Sequence, residues 1–158
     1  HAAADRQVVV CIDEAQAMPL ETLESLRLLS NLETEKRKLL QIVLFGQPEL
    51  DRKLAEPSVR QLLQRIAFHY RIGGLAREEV ANYLAHRLRV AGYRGEDVFG
   101  SSAVRCLHKA SRGTPRLLNI LAHKSLLAVF GEGKHAVRPG HVRRAAADTE
   151  GAASAGWW

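Results

Sequence analysis

The sequence predicts an α/β portion followed by an all-α portion. Two short apolar runs, 8–12 and 39–45, flank a leucine-striped segment. Runs that are apolar on both faces suit buried strands of a parallel sheet joined by a helix. After Gly73-Gly74 the apolar residues recur at helical rather than strand spacing. The prolines add punctuation, since Pro19, Pro48, Pro57, Pro115 and Pro139 each sit where a helix is expected to open.

The elements follow in order. Val8-Val9-Val10-Cys11-Ile12 is the first expected strand, within Gln7–Ile12, and ends in two acids. Pro19 opens a helix whose stripe is Leu20, Leu23, Leu26, Leu29 and Leu32. The charged run Glu33–Lys38 is expected to close that helix in solvent. Leu39–Phe45 is the second strand, stopped by Gly46. Pro48 opens a short helix to Ala55, and a further helix covers Ser58–Ile66. Phe68–Ile72 alternates and reads as a third strand, broken by Gly73-Gly74 as a hinge. Helices then follow over Glu78–Ala91, with Val80, Leu84 and Leu88 on one face, and from a Ser101 or Ser102 cap to Ala110. Another runs from Thr114-Pro115 to Phe130, its leucines and Ile120 largely buried, and a basic one covers Pro139–Ala147. The expected organisation is an α/β subdomain at 1–74, a helical lid at 75–150 and a tail, Gly151–Trp158, with no assigned fold.

With 158 residues, 46% hydrophobic and 25% charged, the chain can bury a core without disulfides. This composition excludes a wholly disordered chain, a collagen-like chain and a disulfide-rich miniprotein. No apolar run is long enough to span a bilayer. The His1 start, without a basic-then-apolar signal pattern, leads us to expect a piece of a longer chain. Cys11 and Cys106 lie in apolar surroundings without metal-ligand spacing, so both are expected to be buried reduced thiols. The histidines are scattered, and no metal site is built on them. The net charge of +6 is uneven: residues 1–50 carry five Lys/Arg against eight Asp/Glu, and residues 51–158 carry eighteen against nine. The basic half reads either as solvated surface with some anion-binding arginines or as a surface for a polyanion.

Four places could carry chemistry. Asp13-Glu14 follows the first strand, where ligands bind in open α/β sheets. In phosphate-cleaving sites one acid there helps hold Mg²⁺ and its neighbour orients or deprotonates water; an acidic helix-entry turn is the plainer reading. Gln47, at the tip of the second strand, is placed to hydrogen-bond an attacking water or a terminal phosphate, or simply to cap the Pro48 helix. Arg65, at the end of a helix, could stabilise charge on a transferring phosphoryl group, or be a surface arginine. Arg116 sits in the first turn of a Pro-started helix. A cation there opposes the helix dipole unless an anion or a carboxylate lies nearby.

The order of these motifs is more telling than any one of them. The run from Val8 to Gln16, then Leu44-Phe45-Gly46-Gln47-Pro48-Glu49-Leu50, Gln64-Arg65-Ile66 and Gly113-Thr114-Pro115-Arg116-Leu117-Leu118-Asn119 resembles an AAA+ ATPase. Within that group the sequence is similar to the general secretion pathway ATPase A family, which includes mannose-sensitive haemagglutinin pilus biogenesis ATPases. The resemblance covers Gln7–Thr149 and is most specific over Ala15–Leu54. It implies a partial AAA+ P-loop core followed by a helical lid. It implies Asp13 and Glu14 as a Walker B pair, with Asp13 on Mg²⁺ and Glu14 activating water. Gln47 then stands at the sensor 1 place, Arg65 as an arginine finger acting on a neighbouring subunit's nucleotide, and Arg116 as a sensor 2 arginine. ATP and Mg²⁺ are the implied cofactors, in a homo-oligomer.

The pattern G-x-x-x-x-G-K-[ST] does not occur in the chain. The expectation is therefore that these residues alone bind ATP weakly and do not turn it over, whether they are the C-terminal portion of a longer ATPase or a degenerate homologue. The leading expectation for the parent is ATP-driven assembly of a type II secretion or type IV pilus machine. It would be cytoplasmic, or peripheral at the inner membrane through a partner protein. Secretion members of the family also carry a membrane segment and a peptidoglycan-binding module, and neither pattern is present here. The alternatives are a DNA-associated ATPase of the transposition-regulator type, using Lys134, Arg138, Arg143 and Arg144, and a non-catalytic self-association module.

Overall fold

The protein is described by a computed structural model over residues 7–30 and 39–153, with the backbone alone for 33–34 and 37–38. The chain divides into two compact units between Tyr70 and Arg71.

In the first unit, β1 (Val8–Ile12) pairs in parallel with β4 (Leu40–Leu44), in a register running from Val8↔Leu40 to Ile12↔Leu44. The pairing continues past the strand ends, where Phe45 donates to the Ile12 carbonyl (2.8 Å) and Ala15 to the Phe45 carbonyl (2.9 Å). Parallel strands need a crossover, and α1 (Leu20–Leu29) supplies it. Pro19 precedes α1 and its carbonyl accepts from both Thr22 and Leu23. The helix buries Leu23 and Leu26 against Leu50 and Leu54 of α2 (Glu49–Leu54), Val59, and Leu62 of α3 (Arg60–Leu63). Ile12, Ile42 and Leu44 pack on this core from the sheet.

Several expectations for this unit are corrected. Among the described residues nothing covers one face of the sheet, where Val9 and Val43 are 51% and 38% exposed. Cys11 shares their face, so it is exposed rather than buried. Glu33–Lys38 does not end a helix; it contains a minimal antiparallel pair, β2 (Glu33–Thr34) and β3 (Arg37–Lys38). Leu32 lies outside the described residues. The Ser58–Ile66 helix is a 3-10 turn, Pro57–Val59, running into the short α3. Phe68–Ile72 forms no strand. Phe68, Tyr70 and Ile72 are 93%, 86% and 82% exposed. Alternation alone cannot hold a strand without a partner for its backbone groups, and no described strand pairs with it.

The second unit is helical: α4 (Arg77–Val90), α5 (Ser101–Ser111), α6 (Pro115–Gly131) and α7 (Pro139–Ala147). Its core combines Val80 and Leu84 of α4, Val104 and Leu107 of α5, Leu118 and Leu121 of α6, and Val142 and Ala145 of α7. Val137 donates to the Val98 carbonyl (2.8 Å), tying the lead-ins of α5 and α7 together. Here too the sequence reading needs correction. The residue before α5 is Gly100, and Ser101 is already helical. Ile120 and Leu127 of α6 are 39% and 57% exposed, because α5 and α7 cover only one stripe of that helix. Ala153 donates to the Ala110 carbonyl (2.9 Å), so the first residues of the expected tail are packed; 154–158 lie outside the described residues.

Gly74 is not a free hinge. A β-carbon at Gly74 would lie 2.3 Å from the Arg112 carbonyl oxygen, and one at Gly113 would lie 2.2 Å from the Leu75 carbonyl oxygen. The two backbones cross at contact distance and are joined by a Leu75 N–H to Gly113 carbonyl bond of 2.8 Å.

Candidate functional site

The parallel register of β1 and β4 brings their carboxyl ends side by side, so Asp13-Glu14 and Gly46-Gln47 share one sheet tip. Glu14 has φ 53° and ψ 37°, the left-handed region that a glutamate occupies at a cost. This turn lets Asp13 Oδ1 accept from the Glu14 N–H (2.8 Å). Beyond the turn the chain enters a 3-10 segment, Ala15–Ala17, with Ala15 buried.

Glu14 and Gln47 meet through a third residue that the sequence reading did not assign. Gln16 Nε2 donates to Glu14 Oε2, while Gln16 Oε1 accepts from the Gln47 N–H (3.1 Å). Gln47 Nε2 also reaches Glu14 Oε2 at 3.5 Å. Lys53 of α2 holds the segment from beneath, donating to the carbonyls of Gln16 (2.7 Å) and Met18. A β-carbon at Gly46 would come within 3.1 Å of Gln16 Oε1 and 2.8 Å of Leu50 Cδ2, so a larger residue there would push on the Gln16 and Leu50 side chains. The only sequence signal for Gln16 was its place two residues after the acid pair. Asp13, Glu14 and Gln47 are all exposed.

Arg65 lies just beyond α3 in the same unit and is exposed; its N–H donates to the Leu62 carbonyl (2.9 Å). No hydrogen bond joins its side chain to the Asp13–Gln47 group among the described residues. Arg116 belongs to the second unit, exposed in the first turn of α6 behind Thr114 and Pro115. The loop before it is stiff: Arg112 has φ 52°, Gly113 φ 73°, and the buried Ser111 hydroxyl accepts from the Gly113 N–H (3.1 Å). Among the described residues Arg116 has no carboxylate partner.

The donor set fits Mg²⁺. That ion keeps several waters and takes one or two protein carboxylates beside substrate phosphates. Asp13 has Oδ2 uncommitted, and Glu14 is adjacent. The described residues hold no group of three His, Cys, Asp or Glu fit to cage a metal unaided.

The basic cluster near α7 is partly neutralised. Lys134, Arg144 and the buried His141 all converge on Glu132. Hydrogen bonds from Lys134, then Arg144, then His141 draw the Glu132 carboxyl down to about 2. His141 Nδ1 accepts from the Arg138 N–H (3.0 Å), which puts the ring proton on Nε2, facing Glu132 at 3.1 Å. Asp148 is held below the usual carboxylate range by its hydrogen bond from Lys124, and Glu78 by a backbone hydrogen bond and Arg77.

Residues 1–54 match the AAA domain family. The chain is 43% identical over 156 residues to General secretion pathway protein A of Aeromonas hydrophila, covering 99% of the chain and 28% of that protein. It therefore spans little more than a quarter of that relative's length. Two solved structures share the fold. A RuvB variant of Thermotoga maritima has a TM-score of 0.63 at 15% identity, over 91% of this chain and 46% of that one. The ORC2 protein of Aeropyrum pernix has a TM-score of 0.59 at 15% identity, over 93% of this chain and 41% of that one. No helix among the described residues is long and apolar enough to cross a membrane. The chain is a homologue of General secretion pathway protein A, with the fold of the AAA+ ATPases.

Proposed function

We propose that this chain supplies the water-activating acids, the sensor residues and the helical lid of an ATPase that drives assembly of a secretion or pilus machine. The observation that carries this reading is the shared tip of β1 and β4, where Asp13, Glu14, Gln16 and Gln47 are connected by hydrogen bonds. Residues 1–74 are taken as the Walker B to arginine finger part of the core, and 75–150 as the lid.

Mg²⁺-ATP, when bound, supplies an activated terminal phosphate. Asp13 would hold the ion through its uncommitted oxygen. Glu14, accepting from two amide donors, would orient water and take its proton. Gln47 would hold the water or the terminal phosphate through its amide. Arg116 would meet phosphate charge from the lid, which answers the unfavourable place of a cation at a helix N-terminus. Arg65 would act on a neighbouring subunit's nucleotide, so the working form is a homo-oligomer. The partner is a membrane protein of the secretion or pilus apparatus, and the complex works on the cytoplasmic side of the inner membrane.

The test has two parts. The 158-residue chain should bind a fluorescent ATP analogue weakly and release no phosphate above background. A chimera carrying the stretch that precedes the matched region in the Aeromonas hydrophila relative should hydrolyse ATP and lose that activity with Glu14→Gln. Phosphate release by the chain alone, abolished by Glu14→Gln, would overturn the first part. An active chimera indifferent to Glu14→Gln would overturn the assignment of the base.

A further inference from the structure

We infer that Gln16 is a positioning residue for the base: it selects which oxygen of Glu14 can take a proton and ties that oxygen to the tip of β4, a role that rests on the ATPase reading. Gln16 bridges the two strand ends with a single amide. Its Nε2 donates to Glu14 Oε2, and its Oε1 accepts from the Gln47 N–H (3.1 Å). Turning that amide over would set oxygen against oxygen at Glu14 and N–H against N–H at Gln47. Only one orientation therefore satisfies both ends.

The backbone of Gln16 is held as well as its side chain. Its carbonyl accepts from Lys53 Nζ of α2 (2.7 Å), which also donates to the Met18 carbonyl. One residue earlier, Ala15 is fully buried and its N–H donates to the Phe45 carbonyl (2.9 Å). One residue later, the Ala17 N–H donates to the Glu14 carbonyl (2.8 Å). Gln16 thus stands on a segment anchored to the end of β4 and to α2, and it is itself partly buried. Gln47 differs. Its side-chain amide meets Glu14 Oε2 at 3.5 Å, the outer limit of a hydrogen bond, and the residue is exposed. That amide can turn to water or phosphate at little cost, whereas the Gln16 amide cannot turn without losing two partners.

Glu14 is left with one open oxygen. Both amide donors sit on Oε2, and among the described residues no hydrogen bond reaches Oε1. A proton placed on Oε2 would face N–H groups that have no lone pair to receive it. The proton of an attacking water therefore goes to Oε1. The place of that oxygen also depends on the β4 tip, because the amide that holds Glu14 is itself held by the Gln47 backbone. Gln16 touches neither water nor phosphate in this role; it acts through Glu14.

The test reads the 158-residue chain first and the ATP-hydrolysing chimera second. In the chain, solvent exchange of single backbone amides is followed by NMR. Gln16→Met removes both ends of the bridge. The Gln47 amide should then exchange about fivefold faster or more, while the Ala15 and Phe45 amides keep their rates. Gln16→Glu separates the two ends, since it keeps an acceptor for the Gln47 N–H but offers Glu14 no donor. In the chimera both variants should lower kcat about tenfold or more, with KM for ATP within about twofold of the unsubstituted chimera, because the loss is at the base and not in ATP binding. An unchanged Gln47 rate in Gln16→Met, an equal acceleration at Ala15 and Phe45, or full kcat for either variant in a chimera that Glu14→Gln inactivates would overturn the role of Gln16. A chimera indifferent to Glu14→Gln would instead overturn the base assignment on which that role rests.

Discussion

The crossing of Gly74 and Gly113 allows strain to be separated from collision. Gly113→Ala incurs two costs. Its φ of 73° is left-handed, which costs a side-chain-bearing residue about 1–2 kcal/mol. Its β-carbon would also lie 2.2 Å from the Leu75 oxygen and 2.7 Å from the Leu75 nitrogen, forcing the Leu75–Gly113 hydrogen bond apart at about 1 kcal/mol more. The expected loss is about 2–3 kcal/mol. Gly133→Ala has the left-handed cost without the collision, since its φ is 62° and nothing lies within 4 Å, so about 1–2 kcal/mol is expected. Gly74→Ala has the collision without a left-handed φ, and Gly100→Ala has neither. The assay is urea unfolding followed through amide signals of α5 and α6, which report the second unit separately. If Gly113→Ala costs no more than Gly133→Ala, the close approach of the two backbones is wrong.

The other expectations are simpler. Leu121→Ala removes a fully buried side chain from the helical core and should cost about 2–5 kcal/mol, read in the same urea experiment. Glu132 has its folded pKa lowered to about 2 from a reference of 4.5. Its contribution to stability is therefore full above the reference value and is lost as pH falls towards 2. Glu132→Gln should lower the melting temperature at pH 6–7, with the gap to wild type closing at pH 2–3; a gap that is constant with pH would count against the ion-pair reading. Cys11 should react promptly with a thiol reagent in the native chain, while Cys106, 8% exposed, should react only after unfolding. Glu14→Gly should be neutral to slightly stabilising, and Glu14→Val destabilising by more than about 1 kcal/mol, in thermal melts of the chain.

Elements whose signal is local were legible in the sequence. α7 spans Pro139–Ala147 as expected, because Pro139 fixes its start and the Val142, Ala145, Ala146 pattern fixes its buried side. β1 and β4 were legible from composition, and so was the adjacency of Asp13-Glu14 to Gln47, since parallel strands on either side of one crossover align their carboxyl ends. What failed depended on partners. Phe68–Ile72 has the alternation of a strand but no described strand beside it. Cys11 sits in an apolar run, yet burial needs a layer over that face. Gln16 was invisible because its role depends on Gly46 allowing close approach from 30 residues away. In the α7 basic cluster Lys134 and Arg144 converge on Glu132, a pairing that the charge count could not locate.

Among the described residues two non-glycine residues occupy left-handed backbone, Glu14 and Arg112, and both have long polar side chains. Neither is fixed there by burial, for both are exposed. Each instead precedes a segment that the turn must launch. After Glu14 comes the 3-10 segment that places Gln16 against Gly46. After Arg112 comes Gly113, which must pass Leu75 before α6 begins. The local strain is therefore offset by contacts made a few residues later, Ala15 to Phe45 in one case and Leu75 to Gly113 in the other. Any residue tolerating positive φ would satisfy that geometry, and glycine would do so at least cost. A carboxylate in one turn and a guanidinium in the other thus require a reason beyond the backbone. The hydrogen bonds that the Glu14 carboxylate accepts from Gln16 and Gln47 are what a glycine would forfeit at the first turn, and the guanidinium is what it would forfeit at the second.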